Sequence, residues 1–321
     1  MFLTVTLFIL GLFLVIKGAD FLVEGASSVA RKFNVSFYVI GLTVVAFGTS
    51  APELIVSTFA SFMGSEGLAL GNIIGSNLSN TLLILGVVAL ISPLTVSKNT
   101  VHKEIPFSLL AIFAVSLLLN DLIIDHSFPN SLTRIDGTIL ILFFVIFMYY
   151  TFGISRIGTI EKFSADGVHE KSGLISTLMV VLGLVGLGVG GKLIVDGGVE
   201  FAKIFGLSEA LIGLSIVALG TSLPELATSA VAAYKGKTDM AIGNVIGSNI
   251  FNILWVLGLS AVIHPIEFDP LLNVDIILLF AVTILLLLLI YTGKKNVLSK
   301  FEGMILILIY IFYLIHITYR G

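Results

Sequence analysis

Apolar residues run along this chain in ten stretches, each about the length of a lipid-spanning helix and each ended by a short polar break. They cover roughly 2–30, 36–63, 68–91, 105–121 and 134–152, then 172–202, 208–234, 240–263, 270–291 and 301–319. A spanning helix needs about 20 mostly apolar residues, so the pattern predicts ten membrane-crossing helices. The first stretch of each half is long and carries charge, which predicts a tilted helix or one that extends beyond the bilayer. The longest break, 153–171, is polar and joins two halves, 1–152 and 172–321, as a linker too short to hold a folded regulatory domain. Met1–Ile16 has no basic residue ahead of it and no small-residue cleavage site, so it reads as a first span rather than a removable leader.

The polar positions inside the apolar stretches form a repeat. Gly41–Asn80 (GLTVVAFGTSAPELIVSTFASFMGSEGLALGNIIGSNLSN) lies over Gly213–Asn252 (GLSIVALGTSLPELATSAVAAYKGKTDMAIGNVIGSNIFN) at a constant offset of 172, with 21 of 40 positions identical. The identities fall on polar, Gly and Pro positions, so shared apolar composition does not explain them. The repeat extends to Gly18–Ala26 over Gly190–Gly198 and Pro93 over Pro265, and at offset 166 to Arg134–Gly137 over Lys300–Gly303. The chain is therefore two repeats of five spans. Five is odd, so the second repeat starts on the opposite side of the membrane: the predicted fold is all-α, ten transmembrane helices as two inverted-topology repeats.

Charge orients the predicted fold. Twelve basic residues fall in alternate loops (Arg31, Lys32, Lys98, Lys103, Arg156, Lys162, Lys171, Lys235, Lys237, Lys294, Lys295, Lys300), and three, Arg134, Lys203 and Arg320, fall on the other side. Basic loops stay cytoplasmic, which places both termini outside and the linker inside the cell membrane. Composition agrees: of 321 residues 57% are apolar and 12% charged, mean hydropathy is +1.11, and a soluble domain carries roughly 25% charge. With no cysteine, disulfides, thiol catalysis and thiolate metal sites are excluded. The net charge of −3 gives no footprint for nucleic acid; the expected surroundings are lipid, with no obligate protein partner evident and a monomer as the expectation.

The repeated motifs carry the chemistry. In GTSAPE and GTSLPE, Pro52 and Pro224 remove the N–H that would bond the carbonyls of Gly48 and Gly220, so the helix kinks and frees a carbonyl. Such a carbonyl at membrane depth is tolerated only within protein or beside a water-filled cavity. Thr49, Glu53 and Ser57 are spaced to share one helix face. An intramembrane carboxylate is costly and marks function by default; Glu53 and Glu225 stand at equivalent positions. In GNIIGSNLSN and GNVIGSNIFN, Gly71 and Gly75 allow close helix approach, and Ser76 and Asn80 share a face. Asn72 and Asn77 read as helix caps or cross-helix hydrogen bonds. Inverted repeats bring two such helices together near the midplane, where secondary transporters bind substrate. The all-oxygen inventory suits hard cations such as Ca²⁺, Mg²⁺ and Na⁺. Lys17–Asp20 and Lys192–Asp196 read as self-paired charge within one helix. The five histidines show no metal spacing, and Trp255 reads as packing.

These motifs resemble the cation/Ca²⁺ exchangers, and within them the prokaryotic sodium/calcium exchangers, over nearly the whole chain. The resemblance implies Na⁺/Ca²⁺ exchange through one central cluster of sites, driven by the Na⁺ gradient, with no cofactor. It implies that Glu53 and Glu225 are the central carboxylates, that Thr49, Ser50, Thr221, Ser222, Ser76 and Ser248 supply oxygens, and that the carbonyls of Ala46 and Ala218 serve outer and inner Na⁺ sites. It also implies that the first helices of the two halves slide across the core to switch access. Potassium-dependent members carry Asp where this chain has Asn252; the matched pair Asn80 and Asn252 resembles the potassium-independent pattern and leaves two formal charges in the site. If three Na⁺ exchange for one Ca²⁺, as the resemblance implies, transport carries net charge. A Ca²⁺/H⁺ antiporter is the alternative, since glutamates also carry protons. A channel does not need duplicated inverted halves, and an intramembrane enzyme would need a nucleophile–base pair or a His–metal set that the core lacks.

Overall fold

A computed structural model of the chain describes residues 2–64, 66–124, 130–157, 171–204, 218–292 and 296–320. The first helix of each half is the longest. α1 (Phe2–Lys32) has 31 residues, and its counterpart in the second half, Gly173–Ile204, has 32. At about 1.5 Å per residue each is about 45 Å long, well beyond the roughly 30 Å hydrocarbon core, as the charged long stretches predict.

Between them the first repeat holds a bent pair, α2 (Phe37–Thr49) and α3 (Ala51–Phe62), crossing at 45°, then α4 (Gly67–Ile91), α5 (Thr100–Leu118) and α6 (Arg134–Ile157). With α7 (Gly173–Ile204) the second repeat starts. It continues through α8 (Ala218–Thr221), α9 (Leu223–Tyr234), α10 (Thr238–Ile263), α11 (Pro270–Thr292) and α12 (Lys300–Arg320). Among the described residues, eight helices and the bent pair are long and apolar enough to cross a membrane. The remaining expected span, 208–234, is described only from 218. Most of the linker, Lys162, Lys294, Lys295, His126 and His169 also lie outside the described residues. Span boundaries agree closely with the apolar pattern except at α5, which starts at Thr100 rather than 105 because a π-helical turn, Thr100–Glu104, leads into it, and at α6, which runs to Ile157 rather than 152 and so into the expected linker.

Glycine sets how α1 meets α7. The two run antiparallel, and a Cβ on Gly18 would stand 2.8 Å from the Gly183 carbonyl, one on Gly25 2.9 Å from the Ser176 carbonyl. Lipid tails give apolar helices no hydrophobic reason to associate, so close backbone approach over small residues supplies the attraction.

Two short ladders confirm the inversion. β1 (Leu94–Thr95) pairs with a late strand, Val297–Leu298 (β4), while β2 (Ser131–Leu132) pairs with β3 (Ile266–Glu267). The partners are Leu94 with Leu298 and Leu132 with Ile266. Offset 172 carries Leu94 onto Ile266 and offset 166 carries Leu132 onto Leu298, so each ladder is the image of the other. One joins loop 3–4 to loop 9–10, the other loop 4–5 to loop 8–9, as two halves of opposite orientation require. The otherwise all-helical fold gains these two-residue pairs because polar loop backbone needs partners.

The charges on α1 pair differently from expectation. Asp20 and Glu24 do not pair along the helix with Lys17, which is exposed. Lys235, just after α9, bridges both acids, and Lys171 reaches Glu24 at 2.9 Å. Those two acids lie on the side of α1 turned toward the core, where basic residues after α9 and before α7 reach them. Lys192 and Asp196 are exposed and form no ion pair among the described residues.

Candidate functional site

The break in each GTSxPE motif is sharper than a kink. At Ser50 the backbone leaves the helix (φ −80°, ψ 10°), α3 restarts at Ala51, and Pro52 falls in its first turn, where a missing N–H costs nothing. Ser222 breaks the second repeat in the same way (φ −85°, ψ 3°). Thr49 and Ser50 thus end one helix while Glu53 begins the next. Thr49, Glu53 and Ser57 therefore do not form one continuous face. Ser57 turns toward α4 instead, where Asn72 donates to it at 3.0 Å.

In α4 and α10 the second motif lies on deeply buried helix. Asn80 and Asn252 each sit in a π-helical turn, Ser79–Ile84 and Phe251–Val256, and their carbonyls accept the widened bonds from Leu85 and Leu257. Such turns interrupt regular helices most often at functional sites. Gly243 and Gly247 let α10 close on α2, where a Cβ on Gly247 would stand 2.5 Å from the Leu42 carbonyl. The equivalent neighbours of Gly71 and Gly75 precede Ala218, outside the described residues.

These pieces meet at the crossing of the two repeats. Ser50 donates to Glu225 Oε1 at 2.9 Å, joining the first motif to the second carboxylate. Ser248 donates to the same oxygen at 3.5 Å, and Ser76 donates to Glu53 Oε1 at 3.4 Å. Both glutamates are fully buried (0% exposed). The second oxygen of each, Oε2, is buried without a hydrogen-bond partner among the described residues. So are both amide atoms of Asn80, the amide oxygen of Asn252 and the hydroxyl of Ser222. Buried polar groups are usually paired; other buried atoms, such as Ser61 Oγ and Glu104 Oε2, also lack a partner among the described residues, but here the orphans gather around two buried carboxylates, which are unstable without positive charge. The oxygens of this set, Oε2 of Glu53 and Glu225, Oδ1 of Asn80 and Asn252 and the Ser222 hydroxyl, are what a hard cation takes as ligands, while the Asn80 NH₂ is a donor and is not one.

The remaining expected donors divide. Thr49 is buried and hydrogen-bonds to Asn244, and Thr221 to Asn72. The Ala46 carbonyl already accepts the Ser50 N–H at 3.0 Å and lies 3.4 Å from the Thr49 hydroxyl. Ala218 opens α8. Among the described residues no group of three or more His, Cys, Asp or Glu comes together, so a cation here relies on neutral oxygens beside the two carboxylates.

One substitution breaks the symmetry. Asn249 donates to Thr81 at 2.8 Å, but the position equivalent to Thr81 is Ile253, which offers no hydroxyl, and Asn77 donates to the Asn249 carbonyl instead. Asn252 donates to Asn77 at 3.1 Å and is held, whereas Asn80 has no such anchor. Sequence reasoning placed Asn72 and Asn77 as caps or cross-helix bonds, and the second applies. It did not name Asn244 or Asn249, although their identity with Asn72 and Asn77 across the repeat was the available signal.

Inverted five-helix repeats that bring paired acidic motifs together inside a multi-spanning helical protein define a membrane cation transporter. The sequence places it more closely. The family model for the sodium/calcium exchanger protein matches residues 3–153 and 175–319, and the chain belongs to that family. It is 31% identical to the sodium/calcium exchanger MaX1 of Methanosarcina acetivorans, covering 97% of both chains. It is 40% identical to the inner membrane protein YrbG of Escherichia coli over 84% of this chain and 83% of that one. Among solved structures, the sodium-calcium exchanger NCX_Mj soaked with Na⁺ and Sr²⁺ matches with a TM-score of 0.83 at 35% identity over 97% of each chain.

Proposed function

We propose that this protein is a secondary antiporter that exchanges Na⁺ for Ca²⁺ by alternating access at one site formed by both repeats. The observation that carries this reading is the Ser50–Glu225 hydrogen bond together with the unpartnered Oε2 atoms of Glu53 and Glu225. It supports reading the two motifs as one oxygen-lined site in which the same ligands serve either ion in turn. Glu53, Glu225, Ser50, Ser222, Ser76, Ser248, Thr49, Thr221, Asn80 and Asn252 hold the ions, with the Ala46 and Ala218 carbonyls serving flanking Na⁺ positions. Two carboxylates balance one Ca²⁺ or two Na⁺, so a third Na⁺ would make exchange electrogenic. Na⁺ is favoured over H⁺ as the driving ion by the match to the sodium/calcium exchanger family model and to relatives named sodium/calcium exchangers; the hydroxyl and amide oxygens suit a hard cation and would serve Ca²⁺ under either coupling.

Access changes as α1 and α7 slide together across the core. Their close glycine interface supports one moving unit, and the Lys235 pairs to Asp20 and Glu24 tie it to α9 in the present arrangement. The protein sits in the cell membrane in contact with lipid, both termini outside and the 153–171 linker cytoplasmic between halves 1–152 and 172–321. It needs no cofactor, catalyses no covalent step and works without an obligate protein partner.

Purified protein in lipid vesicles tests the reading. An outward Na⁺ gradient drives Ca²⁺ uptake, and an inside-negative potential changes its rate. Uptake that responds to a pH gradient and ignores Na⁺ would move the assignment to Ca²⁺/H⁺ antiport.

A further inference from the structure

Two asparagines outside the proposed ligand set make the same three contacts in each repeat. Asn72 donates its amide N–H to Ser57 at 3.0 Å and to the Glu53 carbonyl at 3.5 Å, and its Oδ1 accepts from Thr221 at 3.3 Å. Asn244 donates to Ser229 at 2.9 Å and to the Glu225 carbonyl at 3.5 Å, and its Oδ1 accepts from Thr49 at 3.1 Å. Both side chains are buried. Each asparagine therefore links the backbone under one repeat's glutamate to the other repeat's threonine.

The chemistry of the contacts sets their direction. A backbone carbonyl only accepts, so the amide atom facing Glu53 or Glu225 must be nitrogen. That leaves Oδ1 toward the threonine, and an amide oxygen only accepts, so the threonine hydroxyl must donate to it. Thr49 has one hydrogen and also stands beside the Glu225 carboxylate; of the acceptors it meets in hydrogen-bond geometry, Asn244 Oδ1 at 3.1 Å is nearer than the Ala46 carbonyl at 3.4 Å. With its hydrogen committed, the threonine oxygen offers lone pairs alone, as a cation ligand must.

We propose that Asn72 and Asn244 are positioning residues that orient the Thr221 and Thr49 hydroxyls with their lone pairs toward the bound ion, each acting across the repeat boundary. This rests on the reading of Thr49 and Thr221 as ion ligands. Freed from the asparagine, a threonine hydroxyl is no longer fixed and rotates among other acceptors, such as the Ala46 carbonyl beside Thr49, so its lone pairs face the ion for only part of the time. Asn244→Ala then weakens ion binding about as much as Thr49→Val does, about five- to tenfold for one hydrogen bond.

A double-mutant cycle separates positioning from general loosening. Half-saturating Ca²⁺ and Na⁺ are measured on purified protein by ion-dependent protection against thermal unfolding, for N244A, T49V and the pair. The proposal predicts that the double variant binds as weakly as either single one. The control N72A with T49V, residues that share no hydrogen bond, gives losses that multiply. Fully multiplicative losses in the N244A/T49V cycle would overturn the proposal. If N244A does not fold, N72A with T221V runs the same cycle on the other threonine. Wild-type protein protected by neither ion would overturn the antiporter reading itself and this inference with it, which is a different outcome from a bound ion without coupling.

Discussion

The Ser50 hydroxyl lies 2.9 Å from Glu225 Oε1, so a serine of the first repeat holds the carboxylate of the second. Its counterpart Ser222 stands beside Glu53, but among the described residues its buried hydroxyl completes no well-formed hydrogen bond. In this arrangement the two serines are equivalent in sequence and unequal in the structure.

That inequality is measurable. A hydrogen bond to a charged group contributes about 1.5–3 kcal/mol, so Ser50→Ala weakens Ca²⁺ binding about ten- to a hundredfold. Ser222→Ala, which removes a less well-formed contact to Glu53, has a smaller effect on binding. Half-saturating Ca²⁺ from flux or calorimetry checks the order, and equal losses would show that the inequality does not persist in the ion-bound protein.

Glu53→Gln and Glu225→Gln keep the shape and remove one charge each. Both variants fold, and each loses Ca²⁺ transport. Ligand at a hundred times its dissociation constant stabilises a folded protein by about 2.7 kcal/mol. Ca²⁺ should therefore raise the melting temperature of the wild type and leave both variants unmoved. Wild-type flux in either variant would remove that glutamate from the site.

The ten-span pattern, the inversion and both glutamates were legible in the sequence because each rests on periodicity, parity or an offset identity. What stayed hidden depends on which helix faces meet. Asp20 and Lys17 have the spacing of an intrahelical pair, yet α1 turns Asp20 toward Lys235 and leaves Lys17 exposed. Pro52 announces a bend, but the break at Ser50 and restart at Ala51 follow from its place in a first helical turn rather than a helix interior. The nearer of the two serines that serve Glu225, Ser50, comes from the other repeat, and no spacing along the chain encodes that contact. Thr81 against Ile253 was visible as a mismatch, and its consequence appears only once Asn249 and Asn77 are brought to it.

Lys235 bridges Asp20 and Glu24 at groups about a quarter to two-fifths exposed, so solvent screening limits the pair energies to about 1 kcal/mol. Lys235→Met shifts the equilibrium between access states by about fivefold. Spin-label distances between α1 and α9 report the change, and an unaltered distribution would separate these ion pairs from the access change.

Gly18 and Gly183 back onto each other inside the α1–α7 contact. Gly18→Val forces those backbones apart at a cost of about 1–3 kcal/mol and slows transport while leaving equilibrium Ca²⁺ affinity nearly unchanged. A loss of affinity equal to the loss of rate would mean that the α1–α7 contact shapes the ion site itself.

Sidedness has its own check. Lys98 lies in a loop assigned to the cytoplasm, so an impermeant amine reagent labels it in inside-out vesicles and not in intact cells. Labelling from outside would reverse the topology.

The central claim is that Na⁺ and Ca²⁺ use one site in turn, built by both repeats around Glu53 and Glu225. Equilibrium Ca²⁺ binding to purified protein over a Na⁺ titration tests it most directly. The account predicts that Na⁺ displaces Ca²⁺ completely and competitively, and that Glu225→Gln abolishes Ca²⁺ binding. Ca²⁺ that stays bound at saturating Na⁺, or that binds Glu225→Gln with wild-type affinity, would contradict it.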